Sequence, residues 1–152
     1  MYLITFQHPS VWEEIQEKGL YICNHIGGHH EQHPISYGEL ATHVWVGIPI
    51  FAWMQVYKNK PLSLLQVERM LEMTSMPDNY LILELEVPDN IPLLTNFYDW
   101  SDLLFDEEEG FSGDRKTLWN NILDVNEQSV EIQVILPYLR KSWVKNVNKL
   151  KE

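Results

Sequence analysis

Residues 48–57 read IPIFAWMQVY, a run without a single charge and with three aromatic rings. Such a run is too aromatic and too poor in charge for a surface helix. Pro49, which has no N–H to give a ladder, suits the head of a strand. The segment reads as a buried strand, and a strand covered on both faces belongs in the middle of a sheet.

Three further stretches supply neighbours for it. YLITFQ at 2–7 is a β-branched and aromatic run that ends at His8-Pro9. YLILELEVP at 80–88 sets Leu81, Leu83, Leu85 and Val87 against Ile82, Glu84 and Glu86, the period-two pattern of a half-exposed strand. SVEIQVIL at 129–136 alternates Val130, Ile132, Val134 and Leu136 with Glu131, Gln133 and Ile135. Leu20 to Cys23 can add a short strand, and residues 137–152 a turn of helix and a short edge strand.

Helices fall between these runs. Ser10 and Glu13 have the capping-box spacing and Gly19 suits a left-handed stop, which predicts a helix over 10–18 that buries Val11, Trp12 and Ile15. Ser63 to Thr74 places Leu64, Leu65, Val67, Met70 and Leu71 at helical spacing. Shorter helices are predicted over 36–45, 96–105 and 116–123. Residues 24–36, with two glycines, a proline and four histidines, read as a loop, and DEEEGFSGDR at 106–115 as another. The fold class is therefore α+β: one domain over 1–152, with a mixed, mainly antiparallel sheet covered by short helices.

The 152-residue chain carries a net charge of −11, unevenly placed. Five of its 11 Lys and Arg lie after residue 139, so residues 1–139 hold 6 bases against 21 acids. A body so acidic repels phosphate backbones and anionic lipid surfaces, which excludes direct nucleic-acid binding and membrane association as expectations. It suits a basic protein partner, above all if one of the six tryptophans is exposed as an anchor. A lone cysteine forms no intramolecular disulfide, no apolar run reaches the length of a membrane span, and MYLITFQHPSVWEE has no basic segment ahead of an apolar one. The expected location is the cytoplasm.

One cluster has the residue types of a metal site. Cys23, His25, His29, His30 and His33 fall within eleven residues, and thiolate and imidazole are ligands that Zn²⁺ prefers. Their spacing, C-x-H-x3-H-H-x2-H, corresponds to no standard zinc module, so a zinc site and a loop that binds nothing are both open. Asp106 to Glu109 lacks the alternating oxygen ligands of a calcium loop and reads as a solvated acidic loop. Cys23 as a nucleophile needs a base and an oxyanion donor, and His25 is the base nearest in sequence.

Taken together, ITFQ and SVWEEIQEKGLY within 4–21, IPIFAWMQ at 48–55, LILELEVPDNIPLLTNFYDWSDLL at 81–104, and LWNNILD with VEIQVILPYLRKSWVKNV within 118–147 resemble the bacterial domain-of-unknown-function family 3841. Residues 24–47 depart from that pattern, with histidines and glycines in place of a tyrosine-rich helix. The family implies no activity. The order of strands and helices also resembles the split sheet of ADP-ribosyltransferases. That likeness implies a nicotinamide-ribose site formed by Thr5 or Gln7 on the first strand, Trp53 or Gln55 on the middle one, and Glu131 or Gln133 on the late one. The function expected is thus a small acidic binding or interaction module, with an NAD-dependent transferase and a metal-binding protein as alternatives.

Overall fold

The computed structural model describes residues 1–25, 28–44, 48–54, 77–125 and 132–150. In chain order its strands are β1 (Tyr2–Gln7), β2 (Leu20–Tyr21), β3 (Ile50–Met54), β4 (Leu81–Glu86), β5 (Leu93–Asn96), β6 (Ile132–Leu136), β7 (Leu139–Arg140) and β8 (Val144–Lys149). Its helices are α1 (Pro9–Lys18), α2 (Gly28–Gln32), α3 (Pro34–Val44), α4 (Phe97–Glu108) and α5 (Arg115–Leu123). The fold is α+β, built on a six-stranded antiparallel sheet of order β5-β6-β3-β1-β4-β8, with β2 and β7 paired beside it. Among the described residues no helix is long and apolar enough to cross a membrane.

The uncharged run at 48–57 supplies β3, and it is central, between β6 and β1. Side chains alternate across a strand, so its residues feed two cores. Ile50 and Ala52 join Leu3, Leu83, Leu85, Val134 and Leu136 under Val11 and Ile15 of α1. Phe51 and Trp53 face the other way, toward α3, α4 and α5, where Leu40, Trp100, Leu103, Trp119 and Ile122 pack on Ile135. All of β6 is buried, since helices cover both of its faces.

Several boundaries differ from those the sequence predicts, each for a local reason. Pro9 takes the first position of α1, where its missing N–H costs nothing, so the cap is His8, whose Nδ1 accepts from the Ser10 amide at 3.2 Å. The capping box at Ser10 does not form. Gly19 does end α1, at φ 74°, and its amide donates to the Ile15 carbonyl. The expected loop over 24–36 is helical from Gly28 onward except at His33, and α3 opens at Pro34, two residues before its expected start. Helix α4 runs on through Asp106, Glu107 and Glu108 instead of stopping at Phe105, and β5 is an edge strand where no strand was predicted. The predicted helix over 63–74, and strand residues 55–57 and 129–131, lie outside the described residues.

One irregularity in the sheet positions everything that follows. β1 and β4 pair along six residues, from Tyr2–Glu86 to Gln7–Leu81, and β3 and β6 along four. Between β1 and β3, among the described residues, only Leu3–Met54 and Ile4–Trp53 are paired. Past Ile4 the two central strands part. At the fork the buried Thr5 hydroxyl donates to the Phe51 carbonyl at 2.7 Å and accepts from Gln7 Nε2 at 2.8 Å. A side chain thus replaces a ladder bond and satisfies a carbonyl that would otherwise be orphaned.

The fork gives a direct test. Thr5→Val keeps the shape of the side chain but leaves Phe51 O and Gln7 Nε2 without their partner, which costs about 1–3 kcal/mol. Urea denaturation should show that loss, with Thr5→Ser less affected. A Thr5→Val protein as stable as the parent would show that the fork is held by something else.

Candidate functional site

The split between β1 and β3 opens into a cavity of about 480 Å³. Gln7 and Ile50 reach it from the α1 side of the sheet, whereas Phe6, Phe51, Trp53 and Gln133 reach it from the other. Residues of opposite faces line one space, so the cavity lies in the split itself. The far wall comes from α3 and α4, which add Tyr37, Phe97, Trp100, Ser101 and Leu104.

The walls are aromatic and interlocked. The Trp53 and Phe97 ring centroids are 5.1 Å apart, and Tyr37 meets Trp100 edge-on at 5.3 Å. These are favourable geometries for ring pairs, so the walls are held in place before anything binds. Among the described residues no lining residue is an acid, a lysine, an arginine or a histidine. Burial pushes the Tyr37 phenol up to about 12, and burial first and Cys23 second push Tyr21 up as well, so both remain uncharged at neutral pH.

Gln133 breaks the apolar pattern. It sits on β6 opposite Trp53 on one side and Thr95 on the other, and it is 7% exposed. Its backbone carbonyl accepts from Thr95 Oγ1 at 2.8 Å, but its buried side-chain Oε1 has no hydrogen-bond partner. A buried amide oxygen left without a donor costs about 1–3 kcal/mol, and a strand held on both sides keeps it there.

No family model, curated protein or solved structure matches this chain.

Of the residues singled out in the sequence, Gln7, Trp53 and Gln133 line the cavity together, and Thr5 lies beneath it at the fork. Gln55 and Glu131 are outside the described residues. Cys23 also lines the cavity, and its Sγ lies 3.5 Å from the His25 carbonyl. His30 stacks on Tyr37 at 4.5 Å, and His33 Nε2 lies 2.5 Å from Glu108 Oε1. Nothing is described of the His29 side chain. Among the described residues no three His, Cys, Asp or Glu side chains converge as a metal site would require. The described tryptophans are buried or half-buried, and among the described residues the exposed large aromatics are Tyr98, Phe105 and Phe111.

The acidic run at 106–109 is not the solvated loop its composition predicts. Asp106 is buried, accepting from Arg115 Nη1 at 3.0 Å and from the Gly113 amide at 2.6 Å. A Cβ on Gly113 would fall 2.8 Å from that carboxylate, which is why glycine stands there. Arg115 continues to Glu39 at 2.7 Å and to Ser36 Oγ at 2.8 Å, and Trp119 Nε1 donates to Glu39. Glu107 accepts from the Ser36 and Ile35 amides at 2.6 and 3.3 Å, capping the α3 N-terminus from another helix. This network fixes the helix that carries Tyr37 into the cavity wall. The sequence offers no sign of its hold on α3, since those partners lie 71 to 80 residues apart.

Burial draws the Glu107 carboxyl up, but hydrogen bonds from Ser36 and Ile35 and the nearby His33 outweigh it and hold it below the usual glutamate range. A carboxyl depressed by folding adds stability that is present above its unfolded pKa and is lost as pH falls through its folded one. The stability difference between the parent and Glu107→Gln should therefore shrink on acidification below about pH 4.3, the ordinary glutamate value. Melting curves between neutral and acid pH measure it, and a difference that does not change with pH would remove the capping role of the charge.

Proposed function

We propose that the chain is a binding domain for a molecule with a small, flat, uncharged ring that enters the split between β1 and β3 and presents an N–H or O–H donor to Gln133. The observation that supports this reading most is the Gln133 amide, buried at the edge of an aromatic cavity with its oxygen unpartnered. Trp53 and Phe97 offer ring faces to a flat guest, and about 480 Å³ lies within the usual range for a small-ligand pocket. The described lining holds no charge, which favours a neutral ring, because an ion among these residues would lose its hydration without a counter-charge. Function then rests on shape and one hydrogen bond, held in advance by the sheet.

NAD-dependent ADP-ribosyl transfer is a second reading. It is favoured by Gln7, Trp53 and Gln133, the three strand positions that the likeness to split-sheet transferases implies, because they meet at this cavity. Nicotinamide is a flat ring whose carboxamide could pair with that of Gln133.

Calorimetric titration with indole and N-methylindole separates a bound ring from its hydrogen bond. Indole should bind more tightly, and Gln133→Leu should weaken it by about fivefold, the worth of one ordinary hydrogen bond, while N-methylindole binding hardly changes. The same variant should melt no lower than the parent, because it removes a polar atom that had no partner. A lower melting temperature with unaltered ligand discrimination would make Gln133 a structural residue and overturn the reading. Titration with NAD tests the second reading, which fails without binding.

A further inference from the structure

Resting on that reading, the structure assigns a charge to the ligand: we infer that the split takes a flat ring bearing a cationic amine on a short tail. A second depression of about 660 Å³ has Gln7, Tyr21 and Cys23 in common with the first, so the two lie against the same three side chains. Their linings differ in kind. Among the described residues the inner chamber is uncharged and aromatic, whereas the outer one is faced by Glu13, Glu14 and Glu17 of α1, with Lys18, His8 and His25. Lys18 Nζ is held by Glu14 Oε1 at 2.8 Å. Among the described residues Glu13 and Glu17 make no ion pair, and Glu17 acts on Lys18 only through its field, so the acids of the outer chamber outnumber its lysine.

The acids do not define a site by themselves. What ties them to one is the wall of Gln7, Tyr21 and Cys23 that they share with the chamber in which the Gln133 oxygen, more than nine-tenths buried, has no partner. The inner chamber orients a ring by its donor edge, and its mouth then points the tail past Gln7 and Tyr21 toward α1. Carboxylates at the mouth attract an ammonium group and repel a carboxylate or phosphate. The same field acts against the diphosphate of a dinucleotide, so an amine-bearing ring fits this site better than NAD.

Calorimetry with indole, tryptamine and indole-3-acetate tests the inference, since the three share a ring and differ in the charge of the tail. At low salt tryptamine should bind on the order of fivefold more tightly than indole, the scale of one or two exposed charge contacts, and indole-3-acetate more weakly. Raising the salt should narrow the spread, and the double substitution Glu13→Gln with Glu17→Gln should bring the tryptamine-to-indole ratio close to one. Indole binding to the parent without any preference for tryptamine would overturn the amine tail and leave the ring site standing. A preference that survives the double substitution would place the tail elsewhere and overturn the inference too. No binding of indole would remove the ring site and this inference together.

Discussion

The hydrogen bond from the Thr5 hydroxyl to the Phe51 carbonyl sits where the two central strands stop pairing, and the rest of the site depends on it. Had β1 and β3 stayed paired past Ile4, Phe51 would be bonded in the ladder and no space would separate Gln7 from Gln133. Had they parted with no substitute, a buried carbonyl would lack a donor. Threonine resolves this with a short side chain that is donor and acceptor at once. The outer ladders, β1 with β4 and β3 with β6, remain long enough to keep the fork from spreading.

Around the fork the protein keeps ionic and aromatic chemistry apart. Charges on the helical side are bound in the Arg115 network, where Glu39 and Asp106 meet one guanidinium. Broken by removal of its arginine, such a cluster would leave the buried Asp106 carboxylate and the half-buried Glu39 uncompensated, so it specifies how α3, α4 and α5 assemble. Free carboxylates appear instead on the outer side, along α1. The crevice between is left to rings and amides, where a hydrogen bond is electrostatically stronger than in water and an unmade one is more costly.

Much of the sheet was legible in the sequence because its cause is local. The uncharged run at 48–57, the alternation at 80–88 and the β-branched run at 2–7 each carry their own signature, and each became a strand. What was not legible depends on partners far along the chain. Glu107, Glu108 and Asp106 look like solvated acids, yet they cap α3, pair with His33 and bind Arg115. The four residues of β5, close after Pro92, are too few to show a period. Part of the site was readable: Gln7, Trp53 and Gln133 stand out as polar or large residues on strands, and topology brings them together. Tyr37, Phe97 and Trp100 carry no mark that separates a cavity wall from an ordinary core. The histidines at 30 and 33 have the residue type of ligands, and their contacts with Tyr37 and Glu108 are ones that spacing alone does not reveal.

The most direct measurement is nuclear magnetic resonance of the protein, isotope-labelled in its side-chain amides, titrated with indole. Binding in the split predicts that the Gln133 carboxamide resonances shift in a saturable way and that ring protons of indole show Overhauser contacts to Trp53 and Phe97. Contacts confined to the exposed rings Tyr98 and Phe105, with Gln133 unmoved, would contradict it.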